Sequence, residues 1–486
     1  MSKNDPMFHE LTSRWRRQDL IDAGYALLLL LLAIATGYLI LAPSDLRATP
    51  LARPLPEPRP GLVTDRLTPT GHVEPTRTRR SWPRTVTGKV LDSHRQPLEG
   101  AGIVLDGKEY LTGPDGTFKF EGSASRTPLL VKMPGFEKAT VEPYRGAVEV
   151  VLRPQVIKAA YLTYYGVSDR VIRNRVLDLV GGTELNAVVI DVKGDRGWIV
   201  YPTEIPEALA AGAQGPATLR DFDAFMSDLK SRGVYTIGRI VTFKDNALAN
   251  HRRDLAVIDT RTGQPWMDNE KLAWLDPFRE EVWDYNLAIA REAVRRGFDE
   301  IQFDYVRFPT DGRLAAAQYS KPNSKETRLP TIAAFLARAR RELGAMGAFV
   351  AADVFGYTAF NGNDTDIGQR IEELTPHLDY ISPMVYPSGY QRGIPNYRNP
   401  VEHPYEVVFE TVRLILKRSG HTRVRVRPWL QDFRDYAFDH RPFGVPEILA
   451  QIKAADDGGA LGWMLWNPRN DYTSAALRQK EGLAAK

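Results

Sequence analysis

The sequence predicts an α/β protein: a (β/α)8, or TIM, barrel over residues 156–486, with a small all-β sandwich and a transmembrane helix ahead of it. Three observations carry this. After Val156, eight apolar strand-like runs are interleaved with helix-periodic segments. Short alternating runs separated by turn formers fill residues 85–153. An uncharged run, Ala23 to Ala42, precedes both and is stopped by Pro43.

That run is about the length a helix needs to cross a bilayer, roughly 20 residues. Lys3, Arg14, Arg16 and Arg17 precede it, so residues 1–22 are expected in the cytoplasm and everything after residue 42 on the far side. A cleaved signal peptide is the competing reading, since Ala33-Ile34-Ala35 offers a small-x-small site. The apolar run continues past it to Leu41, which favours an uncleaved anchor. The expected location is the cytoplasmic membrane, crossed once, with the barrel on the periplasmic or extracellular side. Residues 43–84, with prolines at 54, 56, 58 and 60, show no apolar periodicity and read as an extended linker.

From Thr85 to Arg153, strand candidates such as Val86–Leu91, Gly102–Leu105, Thr117–Phe120 and Val148–Leu152 are separated by Asp106-Gly107, Gly113-Pro114-Asp115-Gly116 and Met133-Pro134-Gly135. The series Gly88-Lys89-Val90, Pro97-Leu98-Glu99-Gly100-Ala101, Gly113 to Phe120 and Pro134-Gly135-Phe136 resembles the carboxypeptidase-regulatory-like, transthyretin-like fold. That resemblance implies a non-catalytic spacer or adhesion element, dispensable for chemistry.

In the barrel the expected strands are 158–165, 186–192, 235–243, 300–308, 348–355, 379–386, 423–431 and 460–466. Helices are expected between them at 170–180, 222–232, 279–296, 332–343, 405–417 and 446–455. A doubly wound sheet is the alternative, but no Gly-rich phosphate loop follows the first strand.

Composition narrows the function. Hydrophobic residues make up 43% and charged residues 26%, as in an ordinary globular protein with a sizeable core. A net charge of +4, with no basic patch interleaved with aromatics, gives no support for nucleic acid as a partner. With no cysteine, disulfides, thiol catalysis and cysteine-ligated metals are excluded. The histidines show no HxH or HExxH spacing, so neither metal nor cofactor is expected.

Barrel enzymes work at the carboxyl ends of their strands. Those ends supply Asp191 and Lys193 on strand two, Arg239 on strand three, and Asp304 and Arg307 on strand four. Asp353 ends strand five, Tyr386 strand six, Gln431 and Asp432 strand seven, and Trp466 and Asn467 strand eight. Carboxylates, amides and aromatics converging on one face suit a sugar site. Trp198, Trp266, Trp429 and Tyr390 are further aromatics that could meet a sugar ring. Glycoside cleavage needs two carboxyl groups, about 5–5.5 Å apart for retention and about 6.5–9.5 Å for inversion. Asp304 and Asp353 end adjacent strands, about 4.8 Å apart, which favours retention. Strand alternation sets Arg307 on the face opposite Asp304, leaving Arg239 as the other candidate cation.

Phe303-Asp304-Tyr305-Val306-Arg307-Phe308-Pro309, Ala352 to Gly356, Ser382 to Pro387 and Gly462 to Asn467 resemble the bacterial glycosyl hydrolase domain related in architecture to α-amylase and α-galactosidase barrels. The resemblance spans about residues 157–470. It implies hydrolysis of a polysaccharide or oligosaccharide, with Asp304 as nucleophile and Asp353 as acid/base. Related amylase barrels carry Glu after strand five, so Asp432 stays open as acid or stabiliser. A non-catalytic carbohydrate-binding barrel is the alternative of a different class, and a deacetylase lacks its metal triad.

Overall fold

The computed structural model describes residues 85–121, 127–142, 147–420 and 423–480. The predicted cytoplasmic segment, the transmembrane span 23–42 and the linker 43–84 lie outside the described residues. Among the described residues no helix is long and apolar enough to cross a membrane.

Eight parallel strands close into a barrel: Ile157–Leu162, Ala187–Lys193, Tyr235–Val241, Glu300–Asp304, Phe349–Phe355, Tyr380–Val385, then Arg425–Val426 with Trp429–Gln431, and Gly462–Trp466. Strand one pairs with both strand two and strand eight, which closes the ring. Strand seven comes in two pieces because Arg427-Pro428 interrupts it, and both pieces pair with strand six. The strands are buried on both faces, as barrel strands covered by helices must be. Helices Arg170–Gly182, Phe222–Ser231, Glu280–Arg295, Lys325–Ala345, Pro404–Ser419 and Val445–Asp457 supply the outer layer.

The barrel interior is a packed core. Ile157, Ala159, Val189, Ile237, Ala351 and Met464 fill it, closed at the amino end by Tyr235 and Tyr380. A fully buried ion pair, Glu300–Arg427, crosses this interior, with Tyr235 donating to Glu300 at 3.0 Å and Arg427 over the Tyr380 ring.

Seven strands between Thr85 and Val151 form the small sandwich: one sheet of three and one of four. Val90, Ile103, Phe118, Leu129, Val131 and Val150 interdigitate between them. The module is not a detached spacer. Its Lys132 donates to the Ala348 carbonyl at 2.6 Å, Lys138 to the Asp299 carbonyl at 2.8 Å, and the Gly135 amide to the Tyr380 hydroxyl at 2.9 Å. Glu109 pairs with Arg340, which also reaches Asp379 at 3.2 Å. Asp299, Ala348 and Asp379 immediately precede strands four, five and six. The module therefore covers the amino end of the barrel, opposite the face where the strand ends converge.

Candidate active site

At the carboxyl end of the barrel, Arg239 on strand three is the hub. Its Nη1 donates to Asp191 on strand two at 2.5 Å; its Nε and Nη2 both donate to Oδ2 of Asp304, at 3.0 and 2.5 Å. Tyr161 on strand one donates to the other Asp191 oxygen at 2.5 Å. Burial works against charge on Arg239, but Asp191 and Asp304 outweigh it and hold its pKa well above the ordinary value.

Register sets Asp304 beside Asp353. Strands four and five pair Gln302 with Ala351 and Phe303 with Ala352, so the next residues on each are the two aspartates. Asp353 Oδ1 accepts from Trp429 Nε1 at 2.8 Å. Its Oδ2 is buried without a hydrogen-bond partner, 4.0 Å from Arg239 Nε. Burial, then the neighbouring Asp304, push the Asp353 carboxyl well above the usual range, which favours its neutral form. Since the two Oδ2 atoms stand 3.0 and 4.0 Å from one nitrogen, they are at most about 7 Å apart.

The strand stops at Asp304 because Tyr305 takes a left-handed backbone, φ +48°, uncommon for a bulky residue. The Tyr305 amide turns back to donate to Asp304 Oδ1 at 2.6 Å. This turn breaks the alternation, and both Tyr305 and Arg307 come round to the same cavity as Asp304. That cavity, of about 610 Å³, opens over the strand ends. Trp429, Trp466, Tyr386, Phe355, Phe433 and Tyr436 give it aromatic walls, and among the described residues Asp304 is its single lining carboxylate. Trp466 stacks on Tyr161 at 4.0 Å and lies under the Arg239 guanidinium. Asp353, at 1% exposure, sits behind this lining and does not open onto the cavity.

The family model described as "Putative glycosyl hydrolase domain" matches residues 159–472, most of the chain and nearly all of the barrel. The chain belongs to this family. No curated protein matches it. Among solved structures, this glycosyl hydrolase domain is similar to a hypothetical protein from Ruminiclostridium thermocellum at 37% identity, over 40% of this chain and 97% of that one, with a TM-score of 0.35. It is similar to the PgaB (BpsB) glycoside hydrolase domain from Bordetella bronchiseptica at 14% identity, over 67% and 100%, with a TM-score of 0.49. A class V chitinase from Pseudomonas fluorescens matches at 11% identity, over 66% and 98%, with a TM-score of 0.41. At these TM-scores the likenesses add nothing to the family assignment.

Of the residues named from the sequence, the glycosyl hydrolase barrel brings Asp191, Arg239, Asp304, Asp353, Arg307, Tyr386, Trp429 and Trp466 together. Four others it turns away. A bulge follows Asp191, so Lys193 pairs in register with Ile240 and faces outward. There it forms a fully buried ion pair with Asp245 at 2.6 Å and lies over Tyr285. Gln431 binds Ser388 and the Phe433 carbonyl, tying together the loops after strands six and seven. Asp432 accepts from the Thr473 amide and hydroxyl, at 2.9 and 2.8 Å. Burial raises its pKa to about 6, but it lines no part of the cavity. Asn467 donates to the backbone of Asp432 and Asp471.

Of the other aromatics, Trp266 and Tyr390 are core residues, the first donating to the Arg313 carbonyl and the second hydrogen-bonded to Thr411. Trp198 packs against Tyr164. Sequence reading missed Arg434, Tyr436 and Arg469 as lining residues. Their signal was position: each follows or ends a barrel strand.

Proposed function

We propose that the chain is a membrane-tethered glycoside hydrolase that cleaves an envelope or exported polysaccharide, with Asp304 as nucleophile and Asp353 as acid/base. The observation that carries this reading is the unlike pair at the ends of strands four and five. Asp304 faces the cavity and accepts two guanidinium bonds. Asp353 beside it has its carboxyl pushed up by burial and by Asp304. Unlike protonation of two neighbouring carboxyl groups is what a retaining mechanism requires. The neutral acid would donate to the leaving oxygen and then take a proton from water. Tyr386, Trp429 and Trp466 suit the apolar faces of sugar rings. Tethering rests on the apolar span 23–42 and the basic residues before it.

One observation favours the second reading, a non-catalytic carbohydrate-binding barrel: Asp353 must rotate past the lining to reach a substrate. Substitution separates the two. Asp304→Asn should abolish turnover of a responsive polysaccharide while binding persists, because the amide cannot attack the anomeric carbon. Asp353→Ala should retain activity on aryl glycosides with good leaving groups, with azide restoring part of the rate. Unchanged turnover in folded Asp304→Asn protein would defeat the assignment.

A further inference from the structure

Among the described residues, the cavity over Asp304 holds one buried cation that the catalytic pair does not use. Arg239 is committed to Asp191 and Asp304. Arg307 is 6% exposed, and its side-chain hydrogen bond goes to the Phe308 carbonyl, at 3.0 Å. No ion pair is formed by Arg307 among the described residues. Asp268, a nearby acid, is already engaged by Lys244 at 2.9 Å and by the Trp274 indole at 3.0 Å. The guanidinium lies instead over three rings: Tyr305 and Phe355 at 4.7 Å and Trp274 at 5.2 Å. Burial lowers the Arg307 pKa, whereas at Arg239 the two carboxylates reverse that effect.

Asp304, Asp311 and Asp268 act on Arg307 only from beyond ion-pair distance, and burial outweighs them. A desolvated cation without a contact ion pair is costly to maintain, and rings compensate weakly. Arg307 lines the cavity, so the missing anion can arrive from there. Arg434 and Arg469, both exposed, line the same cavity, which gives it four arginines against one aspartate. A guanidinium presents parallel N–H donors that match the paired oxygens of a carboxylate or sulfate.

We propose that this cavity takes an anionic sugar, with Arg307 receiving the carboxylate or sulfate of the ring and Arg434 and Arg469 drawing the acidic chain in. This rests on the glycoside hydrolase reading and narrows it to acidic polysaccharides. Arg307 and Asp304 belong to one turn and line one cavity, so the acidic sugar lies at or beside the scissile bond.

Titration calorimetry on the full chain tests this with three probes: oligogalacturonate, a sulfated carrageenan oligosaccharide and a neutral xylo-oligosaccharide. One acidic probe should bind at least about tenfold more tightly than the neutral one, and lose that advantage as salt is raised. Which acidic probe wins identifies the anion. Arg307→Gln should abolish the preference, and Arg307→Lys, which keeps the charge, should restore part of it. Equal binding of acidic and neutral probes overturns the proposal, as does a preference that survives in Arg307→Gln. Should Arg307→Gln fail to fold, Arg469→Gln on the exposed rim decides. A several-fold loss confined to the acidic probe supports the inference, and unchanged acidic binding overturns it. Turnover is scored separately. Tight binding of acidic sugars with no cleavage would sink the hydrolase reading alone, while cleavage of neutral glycans without acidic preference would sink the Arg307 site alone.

Discussion

Arg239 Nε stands 3.0 Å from Asp304 Oδ2 and 4.0 Å from Asp353 Oδ2, so one guanidinium holds the nearer carboxylate and reaches toward the farther. A lysine at this position has no planar fork and cannot serve Asp191 and Asp304 together. Arg239→Lys should therefore lower kcat by at least about tenfold, through lost positioning, with a smaller effect on KM. A variant with wild-type kcat and raised KM would show that Arg239 only binds substrate.

Asp432 predicts a pH dependence of stability. Its folded pKa, about 6, is raised above the ordinary value of 3.8. The protonated form is therefore favoured in the folded state. Its contribution is full below the unfolded pKa and is lost as pH rises through the folded one. The span amounts to at most about 3 kcal/mol. Urea unfolding at pH 4 and pH 8 should show wild-type protein losing more stability than Asp432→Asn over that interval. Equal slopes would remove Asp432 from the account.

The Glu300–Arg427 pair predicts an asymmetry. Both side chains are fully buried, so Glu300→Gln leaves Arg427 without a counter-charge inside the barrel. The expected loss is about 3–5 kcal/mol. Replacing both by Leu and Met should cost much less, because no buried charge is left. Denaturant midpoints of the single and double variants check this, and a single variant as stable as wild type contradicts it.

Truncation at Gln155 tests the module. Removing it exposes the amino end of the barrel and deletes the Lys132, Lys138 and Gly135 hydrogen bonds to Ala348, Asp299 and Tyr380. The truncated barrel should melt several degrees lower than a chain starting at Thr85, with any surviving folded fraction keeping its turnover. Equal melting temperatures would make the module an independent passenger.

Much of the fold was legible because its signals are local. All eight strands begin within two residues of where the alternation starts, and Asp304 and Asp353 fall near the carboxyl ends of neighbouring strands. Helix Lys325–Ala345 was foreseen only from Ile332; in the structure it starts earlier and holds Pro330 near its beginning. Strand four was foreseen to Phe308 and ends at Asp304, because the left-handed Tyr305 leaves no mark on the hydrophobic pattern.

The sequence by itself determined the eight-fold β/α alternation, the identity of the carboxyl-end residues and the adjacency of the two aspartates. These follow from periods of two and 3.6 residues and from chain order, which act over a few residues at a time. Only the tertiary structure decided which cation serves which carboxylate. It paired Arg239 with Asp304 across strands, brought Arg307 to the cavity with no ion pair among the described residues, turned Lys193 outward at a bulge, and gave Gln431, Asp432 and Asn467 to loop-holding bonds. Those outcomes depend on backbone angles just past the strand ends and on barrel closure between residues far apart in the chain, and no local periodicity encodes either.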